Sequence, residues 1–226
     1  MNRDRVWFGI CLVLFAAVVL AATSIAAVIS FQGGANPSAI VVIRFFGGVF
    51  VLFALLLVSR ASAGLSMHDR MIAFAIGAAQ AIQSFALYSS LERISVGLTM
   101  IIFYVFPLIV GVLASAIGQE RLTGRLVTAL IIAFLGLVLV FNVTGPGPDL
   151  AGALFAGLAA MGWSIVVVFG TRLASSGDAR AVTLHIQFSA LILFALSLVV
   201  TGEVRFPVSR NGWLALALIP FLYGAA

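Results

Sequence analysis

Charge is what this chain has least of. Of its 226 residues only 8% are Asp, Glu, Lys or Arg, while 63% belong to the A/V/I/L/M/F/W/Y/C set, and the mean hydropathy is +1.26. A soluble domain carries roughly 25% charged residues, so most of this surface faces something other than water. Lysine is absent: all 12 cations are Arg, and the 7 acids are Asp4, Asp69, Glu92, Glu120, Asp149, Asp178 and Glu203. The single cysteine, Cys11, excludes an intrachain disulfide and a cysteine-based metal site, and says nothing about redox compartment. No Gly-x-x-x-x-Gly-Lys-Ser/Thr loop, His-Glu-x-x-His pair or Gly-x-Ser-x-Gly turn occurs, so nucleotide, zinc-protease and serine-hydrolase chemistry lack their residues. No cofactor and no metal are expected. Basic residues interleaved with aromatics are also missing, so the net charge of +5 speaks of loop placement in a membrane, with no nucleic-acid partner expected.

Long uncharged runs fill the space that charge vacates. Breakers and charges divide the chain into spans near 6–30, 38–59, 70–91, 95–118, 125–142, 150–171, 181–201 and 212–226. A helix rising 1.5 Å per residue needs about 20 residues to cross a bilayer core of about 30 Å. The fold class is therefore all-α, a polytopic helical membrane protein with eight spans, the last of them incomplete. Arg3 and Arg5 precede the first run in the manner of a signal peptide, but residues 6–31 are uncharged throughout, well beyond the ~7–15 of a signal core, and read as a retained span. Every connection is short, which leaves function to the bundle and its mouths.

Orientation follows from arginine. The N-terminus and the second, fourth and sixth loops hold Arg3, Arg5, Arg60, Arg70, Arg121, Arg125, Arg172 and Arg180, whereas the opposite loops hold Arg93, Arg205 and Arg210. That bias, eight to three, places the N-terminus of the multi-pass chain in the cytoplasm.

A repeat is visible at long offset. Leu52–Val58 (LFALLLV) matches Leu193–Val199 (LFALSLV) at an offset of 141, Gly9 corresponds to Gly152 at 143, and Met71 to Trp213 at 142. The spacing predicts two five-span units, 1–146 and 147–226, of which the second is incomplete. Five is odd, so the second unit crosses the membrane in the opposite sense, an architecture built for alternating access. A first unit ending near Pro146 predicts ninth and tenth spans after Ala226, where no charge or polar flank closes the last helix; a natural eight-span protein is the alternative.

The residues also resemble a known group. Ala86-Leu87-Tyr88, Ile94-Ser95-Val96-Gly97, Pro107, Glu120-Arg121-Leu122-Thr123 and Gly136, in that order and spacing, resemble the EamA-type domain of the drug/metabolite transporter superfamily. The resemblance covers the whole chain, as one full repeat and about three fifths of a second, and departs from the group where Gly118-Gln119-Glu120 stands in place of Gly-Glu. It implies an inner-membrane secondary transporter, commonly a ten-span exporter of amino acids or other small metabolites.

Several side chains stand out against the apolar background. Arg44 is the one fixed charge inside a span, about 9 Å from its helix end by the helical rise, and such residues serve either substrate or a neighbouring helix. His185, its counterpart at the 141 offset, can titrate in a transport cycle or simply donate to a carbonyl. Gln80, Gln83, Ser84, Leu87 and Tyr88 recur at i, i+3, i+4, i+7 and i+8, one polar helix face that must meet protein or a watery cavity. Gln187 and Ser189 add polar groups to the seventh span. Tyr104 and Trp163 lie away from span ends and suit a cavity wall or ordinary packing, whereas Trp7 and Trp213 at span starts read as interfacial anchors. Pro107 and Pro220 break backbone bonding inside their spans, as kinks or gating points. Gly152, Ala156 and Ala160 mark close helix packing.

No span contains an acid, which disfavours a carboxylate proton relay and organic-cation export. Together with the resemblance, which implies the direction and the cargo class, these residues lead to the expectation of a secondary transporter exporting small neutral or zwitterionic, amino-acid-like metabolites by alternating access. Its partners are then a small-molecule substrate and the lipid bilayer; oligomeric state has no signature. The alternatives are a non-transporting fragment or membrane assembly subunit and, more remotely, a membrane-embedded hydrolase, for which His185 is the only intramembrane base.

Overall fold

A computed structural model describes residues 3–59, 64–119, 123–140, 149–175 and 177–225. The turn at 145–148 with the unit boundary at Pro146, and Glu120, Arg121 and Leu122 of the resemblance motif, lie outside the described residues. Among the described residues all regular secondary structure is helical: α1 (Arg3–Gln32), α2 (Pro37–Ser59), α3 (Met67–Arg93), α4 (Val96–Phe103), α5 (Phe106–Ala116), α6 (Gly124–Val140), α7 (Leu150–Ala174), α8 (Ala179–Thr201) and α9 (Arg210–Ala225). These follow the eight spans read from the sequence, with the fourth divided in two. Five segments of the described residues are long and apolar enough to cross a membrane: Pro37–Ser59, Met67–Arg93, Val96–Ala116, Leu150–Ala174 and Ala179–Val199. The protein is a polytopic helical membrane protein.

Local chemistry sets the helix ends. Ser66 accepts from the Asp69 amide at 3.1 Å while its hydroxyl donates to the Asp69 carboxylate at 2.7 Å, so α3 starts three residues before the apolar run that suggested residue 70. Ser95 caps α4, Asp149 caps α7 and Asp178 caps α8 in the same way. Gly202 ends α8 in the left-handed region, φ 75°, where a side chain is disfavoured. Pro107 has the effect expected of an imide, but more completely than a kink: α4 stops at Phe103, Tyr104 and Val105 form a turn, and α5 restarts with proline in its first turn, where no amide hydrogen is needed.

Packing places α2, α3 and α8 at the centre. The most extensive contact joins α3 to α7, followed by α3 with α8, α1 with α9, and α2 with both α8 and α9. One core cluster gathers Ile40, Val41 and Phe45 of α2 with Ala190 and Phe194 of α8 and Leu216 and Ile219 of α9; another gathers Ala73 and Ile76 of α3 with Val166 and Leu173 of α7 and Val182 and Ile186 of α8. Small residues let the backbones close up. A methyl added at Gly77 would lie 2.6 Å from Ser189 Cβ, and Ala156 and Ala160 are buried along α7. Outward faces are apolar, with Phe50, Leu57, Leu139 and Val199 exposed, as suits a lipid surround.

Candidate functional site

A cavity of about 490 Å³ opens between α2, α3, α7 and α8 at the end of the bundle that carries the 33–36 turn. Its wall is aromatic. Phe85 of α3 meets Phe155 of α7 edge-on, centroids 6.5 Å apart, and Phe194 of α8 at 5.9 Å. Ser38, Ser89 and Ser197 add hydroxyls, and Glu92, Arg93, Glu203 and Arg205 place both signs of charge at the lining. Arg93 is held from two sides: its guanidinium is 3.3 Å from the Asp149 carboxylate and lies over the Phe155 ring at 5.8 Å. Phe85 and Arg93 are eight residues apart on α3, so the cavity reaches about 12 Å into the bundle by the helical rise.

Asn36 ties the lip together. Its amide group donates to Glu203 O at 2.9 Å, its carbonyl accepts from the Arg205 amide and from the Ala39 amide, both at 3.1 Å, and its backbone amide donates to Arg205 O at 3.0 Å. One residue thus caps α2 and fixes the 203–205 segment, and Val208 N adds a bond to Gly33 O at 2.8 Å.

The residues singled out from the sequence do not line this cavity. Arg44 is 2% exposed, with its guanidinium 4.6 Å from the centre of the Phe45 ring. Gln80, Gln83, Ser84 and Tyr88 are all buried between helices, as a polar face in lipid requires. Gln83 packs against Gly162 of α7 and its Oε1 accepts from Ser84 at 3.0 Å, while Tyr88 joins the core cluster around Phe45. Trp163 packs against the α3–α7–α8 cluster. His185 Nδ1–H donates to Ala181 O at 2.9 Å, one turn back on its own helix. Gln187 is buried opposite Gly48 of α2. Tyr104, 40% exposed, and Pro107 line a separate apolar pocket of about 120 Å³ with Leu108, Leu130, Ala133 and Phe134. Pro220 is buried on α2, against Gly47.

The main cavity was missed because its aromatics look like any others in an apolar helix. One signal was available: Phe85, Ser89 and Glu92 run at i, i+4 and i+7 beside the Gln80–Tyr88 stripe, a second line on α3 leading to Arg93. Among the described residues no group of His, Cys, Asp and Glu is placed to hold a metal ion.

A polytopic helical bundle enclosing a cavity with an aromatic wall and a charged lining has the form of a membrane carrier. The sequence profile of the EamA-like transporter family matches residues 7–142, and the chain belongs to that family. One solved structure, described only as the crystal structure of a protein, superposes with a TM-score of 0.69 over 96% of this chain and 76% of that one, at 21% identity, a likeness of fold. No curated protein matches. The family is one of membrane transporters, not of enzymes, and implies a small-molecule cargo carried across a bilayer.

Proposed function

We propose that this chain is a secondary transporter that exports a small neutral or zwitterionic metabolite from the cytoplasm across the inner membrane by alternating access, its N-terminus cytoplasmic. The cavity of about 490 Å³ carries the reading: it is large enough for an amino-acid-sized molecule, apolar along Phe85, Phe155 and Phe194, and lined by both carboxylates and guanidinia. A cargo of one net sign would leave half of those charges unmatched. With the N-terminus inside, the cavity opens to the exterior, and the conformation is the outward-facing one of the cycle.

Helix packing supports the division into units near 1–146 and 147–226. If α1, α2 and α3 correspond to α7, α8 and α9, then the α3–α7 contact corresponds to α9–α1, α3–α8 to α9–α2, and α2–α8 to itself. These are the contacts the chain makes. An inverted pair related by an axis through α2 and α8 can rock about that axis and expose its centre to each side in turn. Gln80 and Gln83 precede Phe85 on α3 and so lie deeper than the cavity floor, where cargo would pass, and Arg44, Tyr88 and Gln187 are buried on the helices around it.

The test is an untargeted comparison of medium and cell extract from cells expressing this chain and cells carrying an empty vector. A few small metabolites rising outside while falling inside support export and name the cargo class. Unchanged metabolites at confirmed membrane expression overturn it. Lining variants such as Phe85→Ala or Phe155→Ala should abolish the difference without lowering the amount of protein in the membrane.

A further inference from the structure

Gln187 holds a hydrogen-bond acceptor that nothing in the described structure uses. The residue is 6% exposed, and its Oε1 is fully buried with no hydrogen-bond partner among the described residues. Most buried polar groups in folded proteins are paired, and an orphan in a lipid-surrounded bundle calls for a reason. The surroundings supply one. Gln187 projects from α8 onto Gly48 of α2, where a Cβ would sit 3.8 Å from the Gln187 amide carbon and nitrogen and 4.0 Å from its oxygen. Gly48 therefore leaves vacant a volume about the size of a methyl group against the amide.

Position matters as much as the missing partner. Gly48 lies eleven residues into α2 and Gln187 fourteen residues before the end of α8, so both are about 17–21 Å from the cavity end by the helical rise. That depth is near the midplane of a hydrocarbon core of about 30 Å and below the 12 Å reach of the cavity. The α2–α8 contact is also the one that maps onto itself in the proposed repeat, and Gly48 is eleven residues from either end of α2.

Resting on the transporter reading, we infer that Gln187 Oε1 and the space at Gly48 form a midplane binding position for a hydrogen-bond donor of the cargo, an N–H or O–H group, distinct from the Phe85–Arg93 cavity above it. The orphan carbonyl is satisfied only when cargo is in transit. A donor-free molecule of the same size and charge gains nothing there, so the position selects primary and secondary ammonium or hydroxyl compounds over quaternary ones.

The experiment is thermal melting of the purified chain in detergent, for wild type, Gln187→Met and Gly48→Ala, alone and with three probe sets: amino acids with a free α-ammonium, their N-trimethyl betaines, and uncharged polyols. Met keeps the length of Gln without its acceptor. Ala at 48 adds only ordinary van der Waals contact, so both variants should fold. At least one donor-bearing probe should raise the wild-type Tm while its betaine does not. Gln187→Met without probe should melt about 2–4 °C higher than wild type and lose the probe-induced shift, and Gly48→Ala should weaken the apparent affinity about tenfold. A Tm that no probe raises, an equal shift with the betaine, or an undiminished shift in Gln187→Met each overturns the donor site. Export is judged separately, by metabolites in the medium, so failure here leaves that reading standing.

Discussion

Gly47 in α2 and Pro220 in α9 share one volume: a Cβ on Gly47 would collide with the Pro220 ring, so the proline seats where a side chain would otherwise be. On the other side of the bundle Gly77 in α3 receives Ser189 of α8 in the same manner. Gly47 and Ser189 are 142 residues apart and Gly77 and Pro220 are 143, the offset at which the sequence repeats. Each helix-three glycine or proline thus meets a small partner on the second helix of the other unit, which supports the two-unit reading from a feature unrelated to sequence identity.

The first prediction concerns that contact. Gly47→Val should destabilise by about 1–3 kcal/mol through overpacking, seen as a lower melting temperature in detergent. Gly47→Ala should be partly relieved by Pro220→Gly in a double-mutant cycle, because removing the ring atoms vacates the site. Strict additivity of the two changes would show that they do not touch.

Asn36 should matter more than a surface loop residue does. Asn36→Ala removes one helix cap and the two side-chain bonds to the 203–205 segment, an expected loss of about 1–3 kcal/mol. Hydrogen exchange should accelerate at Arg205, whose amide bonds to Asn36 Oδ1. Asn36→Asp keeps both accepted bonds and should fall between Ala and wild type.

Arg93 separates stability from transport. Its pair with Asp149 joins half-exposed side chains, and such pairs contribute under about 1 kcal/mol. Arg93→Ala should therefore melt close to wild type while export of the identified metabolite drops several-fold. A large loss of stability with intact export would reassign Arg93 to a structural role.

Asp178 gives a pH signature at the opposite end. Hydrogen bonding from the Arg180 side chain, then from the Arg180 backbone, holds the Asp178 carboxyl below the usual carboxylate range. A depressed carboxyl stabilises the fold above its ordinary range, and that contribution disappears as the pH falls through the depressed value. Protection of the first turn of α8 against hydrogen exchange should be flat near neutrality and decline only in strong acid. Asp178→Asn should keep the cap and abolish that decline.

Much of the site's supporting frame was legible one residue at a time. Pro107 announced a break in the fourth span, and the Gln80–Tyr88 periodicity placed a buried face on α3, because imide geometry and helical period act within a few residues. Trp7 and Trp213 were read as anchors and are exposed at their helix starts, Trp213 stacked on Phe206 at 5.5 Å. The cavity was not legible. Phe85, Phe155 and Phe194 come from three helices separated by 70 and 39 residues, and nothing local distinguishes a phenylalanine that faces a void from one that faces lipid.

By itself the sequence determined that the chain crosses a membrane as helices, where those helices break and which faces are too polar for lipid. Water loss on insertion penalises every unpaired peptide and charge, so composition and period suffice for those decisions. Tertiary structure alone decided which polar groups meet. It placed Asn36 across to the 203–205 segment, left Gln187 Oε1 unanswered beside Gly48, and gathered three phenylalanines around one cavity. Helix partners in a bilayer are chosen by shape at the level of single methyl groups, and shape emerges only when the helices are side by side.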